Sequence, residues 1–322
     1  MLQKAKPTVN DVHVNRPLTN IATAYLQSET NFITNRVFPI VPVDNKSDVF
    51  FALDKDDFRR DNLVQRQPAT ESAGGGYRLS SNDTYNCLVY AWHIDIPNQL
   101  RAAADVPLNL DLNAIQFIMQ TIMIGKERKW VADFFKTGVW DTDAVGATDF
   151  TQWDQADSDP EADVQAGKES VLQRTGNMPN TLVVDFKTHN ALKRHPLIQE
   201  RFKYTSNQSV TEEMIAKFFE LDRYLVGKAS YNSADEEATA VNAMILGDNA
   251  LLLYVPESPG ILVPTAGYTF VWRGLTGMSD LGVAVSSFNL DKEKALRVEG
   301  EFAYDQTAIG TDLGYFFSNT LA

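Results

Sequence analysis

Cysteine is nearly missing from this chain: Cys87 is the only one in 322 residues. One thiol excludes an intrachain disulfide and any zinc site built on several cysteines. Long apolar runs are missing as well; none approaches the roughly 20 residues that cross a bilayer. The opening, MLQKAKPTVNDVHVNRP, has no apolar stretch of the kind that marks a secretory signal. No membrane partner is therefore expected, and synthesis in a cytoplasm is. Positive charge is scarce: 29 Lys and Arg stand against 42 Asp and Glu, a net charge of −13. Tight, general nucleic-acid affinity depends on neutralising phosphates with Lys and Arg, so it is not expected. Enclosing a nucleic acid while scarcely binding it stays open.

The motifs of several enzyme classes are also missing. The glycine-dense stretch TESAGGGYRLSS, residues 70–81, lacks the Lys and the following helix of a phosphate-binding loop. It opens no helix, so it also fails the dinucleotide pattern, and flexible loop backbone is the simpler reading. His13, His93, His189 and His195 form no H-E-x-x-H pair, and a spacing of six splays His189 and His195 across a helix. The acidic stretch 141–161 matches a calcium loop at Asp141, Asp143 and Gly146, but Val145 stands at a ligand position and the closing Glu is absent. GMSDLG, 277–282, is one residue too long for G-x-S-x-G. We expect no enzyme, no metal and no cofactor. Cys87, within TYNCLVYAW, reads as a small buried hydrophobe in a strand.

What is present is an ordered series of parts. Residues 1–46 carry four prolines and a short helical pattern at NIATAYLQ, which predicts an extended arm packing outside its own core. DVFFAL and YNCLVYAWHIDI read as strands flanking about thirty polar, charged and glycine-rich residues, a projecting two-stranded excursion. Leu112, Ile115, Ile118 or Met119, and Ile122, then Trp130, Phe134 and Phe135, keep helical spacing. Gly138 stands where a helix cap belongs, and some 26 residues at 1.5 Å each predict a rod of about 40 Å. Asp159-Pro160-Glu161 starts a helix that Gly176 ends, and PNTLVVD is a short buried strand. FKTHNALKRHPLIQERFK is helical and broken at Pro196, and Ser209 with Glu212 makes a capping box. Strands dominate from Arg223 onward. Helices and strands mix without a regular βαβ alternation, so the fold class is α+β.

This order of parts resembles the major capsid proteins of tailed bacteriophages, with the HK-97-type fold. Segments such as FPIVPVDNKSDVFFALDKDDFRRD, PNTLVVDFKTHNALKRHP, PGILVPTAGYTFVWRG and RVEGEFAYDQTAIGTDLGYFF resemble one siphophage branch. The resemblance runs over roughly 25–322 and rests on many segments in order. It implies an N-terminal arm at 1–46 and an extended loop at 47–95. A peripheral domain would span 96–180 and 292–309, with its spine helix at about 111–136. An axial domain would span 181–291 and 310–322.

It further implies self-assembly into pentamers and hexamers of an icosahedral head around double-stranded DNA, contacted weakly and without sequence specificity. Expected partners are copies of the chain itself, a separate scaffolding protein, a portal and decoration proteins. The protein would be found in the virion and assembled in the host cytoplasm. Arg59, Arg60, Arg66 and Arg78 become candidate inter-subunit contacts, and Gly74, Gly75 and Gly76 candidate loop hinges. The alternatives are an encapsulin-like compartment shell, or a soluble hydrolase with a deep pocket lined by His189 or His195.

Overall fold

A computed structural model describes residues 27–53, 57, 59–77, 79–103, 110–203, 210–235, 238–260, 263–275 and 283–322. In chain order these form α1 (Thr34–Val37), β1 (Ile40–Val43), β2 (Ser47–Leu53), β3 (Leu79–Asn86), β4 (Leu88–Pro97), α2 (Asn98–Ala103) and α3 (Leu110–Phe134). There follow β5 (Asp143–Val145), α4 (Pro160–Thr175), β6 (Thr181–Asp185), α5 (Phe186–Arg194), α6 (Pro196–Phe202) and α7 (Glu212–Phe218). The closing run is β7 (Arg223–Gly227), β8 (Ser230–Asn232), β9 (Asn242–Met244), β10 (Ala250–Leu253), β11 (Gly267–Trp272), β12 (Val283–Leu290), β13 (Ala295–Ala308) and β14 (Gly314–Ser318).

The first of two five-stranded sheets is organised on β13, which pairs antiparallel with β4, β11 and β12, while β1 adds in parallel to β11. Strand alternation puts Leu296, Val298, Phe302 and Tyr304 on one face, all buried. The 25-residue α3, about 37 Å long at 1.5 Å per residue, lies on that face. Close approach is possible because Gly300 sits beneath it: a Cβ there would come within 2.4 Å of Ile118.

The helix expected over 111–136 is thus present, but its buried stripe differs from the one read in the sequence. Ala114, Ile118, Lys126, Glu127 and Trp130 are buried, whereas Leu112 is half exposed. Two buried charges interrupt the apolar stripe, which is why apolar spacing alone misplaces it. Gly138 is left-handed, at φ 80°, but it stands in the turn beyond the helix rather than at its cap. The carbonyl of Phe134 is instead satisfied by the Trp140 indole N–H at 2.8 Å.

The second sheet has the order β5-β14-β10-β6-β7 and is covered on both faces, so its strands read as unbroken apolar runs. Leu182, Val184, Leu252 and Phe317 face one cluster with Val164, Ile198 and Ile215 from the helices. Val183, Leu251, Leu253 and Phe316 face the other, with Trp130 of α3. Asp159 caps α4 through Ala162 N–H at 3.0 Å, Pro160 opens it, and Gly176 closes it at φ 76°. Pro196 separates α5 from α6 as expected. The cap of α7 is Thr211, whose hydroxyl accepts Met214 N–H at 3.3 Å; Ser209 lies outside the described residues.

Two further expectations change. Ile33, Val37 and Phe38 are fully buried in the chain's own core against Trp130, so this part of the predicted arm does not pack elsewhere. The helical pattern at NIATAYLQ lies outside the described residues except for its last one, Gln27. The strand read at 85–96 is two strands, interrupted at Cys87. The polar segment Leu79–Asn86 pairs with β2, and β4 turns into the sheet of β13.

Candidate functional site

The segment entering the fold is gripped by two consecutive residues of α3. The Glu127 carboxylate accepts the backbone N–H groups of Ile33 and Thr34, each at 3.0 Å, and also the Thr34 hydroxyl. It thereby does the work of an N-cap for α1, whose own N-cap residue Ile33 offers no side-chain bond. Lys126 reaches Asn35 from the same helix and lies over the rings of Phe302 and Tyr304, 5.5 and 5.7 Å from their centroids. Burial pushes the Glu127 carboxyl up and brings the Lys126 ammonium down to about 8. Sequence reasoning missed both residues, since charge inside a helical stripe ordinarily marks a solvated face.

From β1 the chain runs into the β2–β3 hairpin. Its root is packed by aromatics: Tyr85 stacks on Phe270 at 4.7 Å, and Phe50 lies 5.8 Å from the same ring. Cys87 is fully buried there, its thiol 3.6 Å from the Phe270 carbonyl, and burial pushes its pKa up to about 12. Beyond the hairpin, residues 59–77 are exposed, including Leu63 at 94% and Val64 at 66%.

The candidate arginines find partners within the chain. Arg59 donates to the carbonyls of Gln173, at 3.0 Å, and Arg174, satisfying the C-terminal end of α4. Arg60 is 3.5 Å from Asp57, and Arg66 donates to the Thr70 carbonyl at 2.7 Å. Arg78 lies outside the described residues. Gly74, Gly75 and Gly76 have open space around their Cα atoms and no positive φ.

The other residues singled out in the sequence are not brought together. His93 is exposed on β4. His189 is buried, with its Nδ1 3.2 Å from the Tyr224 hydroxyl, and burial lowers its pKa. His195 is buried with its Nε2 3.0 Å from Ser158 Oγ. It borders an open depression of about 590 Å³ that His189 does not line. Asp141 accepts from the Thr311 hydroxyl at 2.8 Å, and Asp143 from Gly138 N–H at 2.6 Å. These carboxylates tie loops together rather than converging on a point. The GMSDLG stretch, 277–282, lies outside the described residues.

No family model matches this chain. It is 26% identical over 310 residues to the major capsid protein of Burkholderia phage BcepMu, covering 94% of each chain. Among solved structures, a phage-related protein from Bordetella bronchiseptica matches with a TM-score of 0.71 and 23% identity, over 95% of this chain and 97% of the other. The capsid of cyanophage P-SCSP1u matches at 0.56 and 11%, over 98% and 99%. The chain has the HK-97-type capsid fold. An encapsulin complex from Synechococcus elongatus shares this capsid fold at a TM-score of 0.54 and 12% identity, over 99% of this chain and 92% of the other. The α+β class expected from the sequence agrees with this outcome.

Proposed function

We propose that this chain is the major capsid protein of a tailed phage, building a shell from copies of itself. The observation that carries the reading is the full-length likeness to a phage major capsid protein, 94% of each chain, joined to the capsid fold. A two-stranded hairpin whose extension, residues 59–77, is exposed supports it, because residues such as Leu63 and Val64 would gain apolar partners from another subunit. In this reading residues 1–46 are the arm, anchored in the chain's own core at Ile33, Val37 and Phe38, and 47–95 the extended loop. Residues 96–180 with 292–309 form the peripheral domain, and 181–291 with 310–322 the axial domain.

Its role is structural rather than enzymatic, in the virion, after assembly in the host cytoplasm. Pentamers and hexamers, a separate scaffolding protein, a portal, decoration proteins and weakly contacted double-stranded DNA complete the picture. The encapsulin likeness favours a second reading, a compartment around protein cargo; the phage relative, with more than twice the sequence identity, favours the first. Negative-stain microscopy and light scattering of the purified protein test this. Capsomer rings or closed shells are the expected result, and a small monodisperse species at every concentration and salt would overturn it.

A further inference from the structure

We propose that the face formed by α5 and α6 docks a carboxylate-bearing segment of a second copy of this chain. The inference rests on the shell reading above. Residues 186–203, FKTHNALKRHPLIQERFK, hold five Lys and Arg against one acid, Glu200, in a chain of net charge −13. Such a protein repels its own copies wherever two of its surfaces meet without a cation between them. Two of the five, Lys187 and Arg194, line one open depression, whereas Arg201 pairs with Glu161 at 3.7 Å; in so acidic a chain, two cations in one depression are a place where copies can meet.

The geometry suits a carboxylate. Helical spacing sets Lys187, Asn190 and Arg194 along one wall of the open depression of about 590 Å³. His195 and Asp154 line it too, beside the apolar Trp153 and Pro196, and the buried His195–Ser158 contact fixes the turn into α6. The Lys187 side chain is 65% exposed, and its ion pair with Asp248, at 3.1 Å, stands in water, where such pairs are weak and exchangeable. Arg194 is exposed and offers the planar fork that binds a carboxylate through two hydrogen bonds. Asn190 adds an amide donor. Asp154, on the same depression, disfavours a polyphosphate backbone and suits a protein segment carrying both signs of charge. A second copy is favoured over DNA for that reason.

Lysine footprinting of isolated subunits and of empty and DNA-filled shells tests the proposal. It is combined with zero-length carbodiimide cross-linking of shells made from mixed isotope-labelled and unlabelled protein. Lys187 is expected to lose most of its reactivity in both kinds of shell and to join an Asp or Glu peptide of the other isotope. Arg194→Glu is expected to block assembly while the subunit stays folded, and a Lys at the cross-linked acid to restore it. Shells that form with Lys187 as reactive as in subunits would overturn this inference and leave the shell reading standing. Protection confined to DNA-filled shells would make the occupant nucleic acid and overturn it equally. A protein that never self-associates would remove both.

Discussion

The carboxylate of Glu127, in the middle of the long helix, accepts the backbone N–H of Thr34 at 3.0 Å, across 93 residues of sequence. Ile33 N–H binds the other carboxylate oxygen at the same distance. An unpaired buried N–H costs about 1–3 kcal/mol, so Glu127→Ala should lose about 3 kcal/mol of subunit stability. Glu127→Gln keeps one acceptor oxygen and should lose less than half as much. Urea denaturation of unassembled protein measures both, and equal losses would show that the carboxylate oxygens are not what holds α1.

The neighbouring Lys126 gives a pH dependence with a definite sign. Burial lowers its pKa to about 8 from the ordinary 10.5, so between these values the unfolded chain binds a proton that the folded chain does not. Stability from this group therefore rises with pH across that window. Glu127, raised by burial, acts in the opposite sense at lower pH: its contribution is present below the ordinary 4.5 and lost as pH rises through its folded value. Wild type should gain on Lys126→Met as pH goes from about 8 toward 10.5 in paired denaturation curves. A constant difference would mean that Lys126 keeps its proton through solvent contact.

Cys87 should be chemically silent. It is fully buried, and with a pKa of about 12 almost none of it is thiolate at neutral pH. Iodoacetamide is expected to leave the folded protein unlabelled for hours and to label it fully in denaturant. Rapid labelling of the native subunit would show that the hairpin root, where Tyr85 stacks on Phe270, opens readily.

Elements with a local cause were legible in the sequence. The helix Pro160–Thr175 carries its cap, its opening proline and its closing glycine in the chain itself, and Pro196 announces the break between α5 and α6. The all-apolar TLVVD declares a strand covered on both sides. Features with a distant cause were not legible. Nothing in LSSNDTYN says that it pairs with β2, because that pairing is backbone bonding with little apolar signal. Lys126 and Glu127 look like a solvated helix face until residues 33–35 are folded against them. Arg59 reads in the sequence as an inter-subunit contact; its bonds within the chain, to the carbonyls at the end of α4, were not legible because they depend on tertiary placement.

Glycines in two settings should behave in opposite ways. At Gly300 an added Cβ would meet Ile118 at 2.4 Å, so alanine forces α3 off the sheet and should cost about 1–3 kcal/mol in the isolated subunit. At Gly74, Gly75 and Gly76 nothing lies within 4 Å and φ is not positive, so the triple alanine variant should stay within about 0.5 kcal/mol per site. Its effect belongs to assembly: alanine narrows the conformations open to the exposed loop, which in the shell reading must fit against a neighbour. Denaturation curves of subunits beside sedimentation of assembled particles separate the two effects. The hinge role fails if the triple variant assembles and matures like wild type, and the packing argument fails if Gly300→Ala leaves subunit stability unchanged.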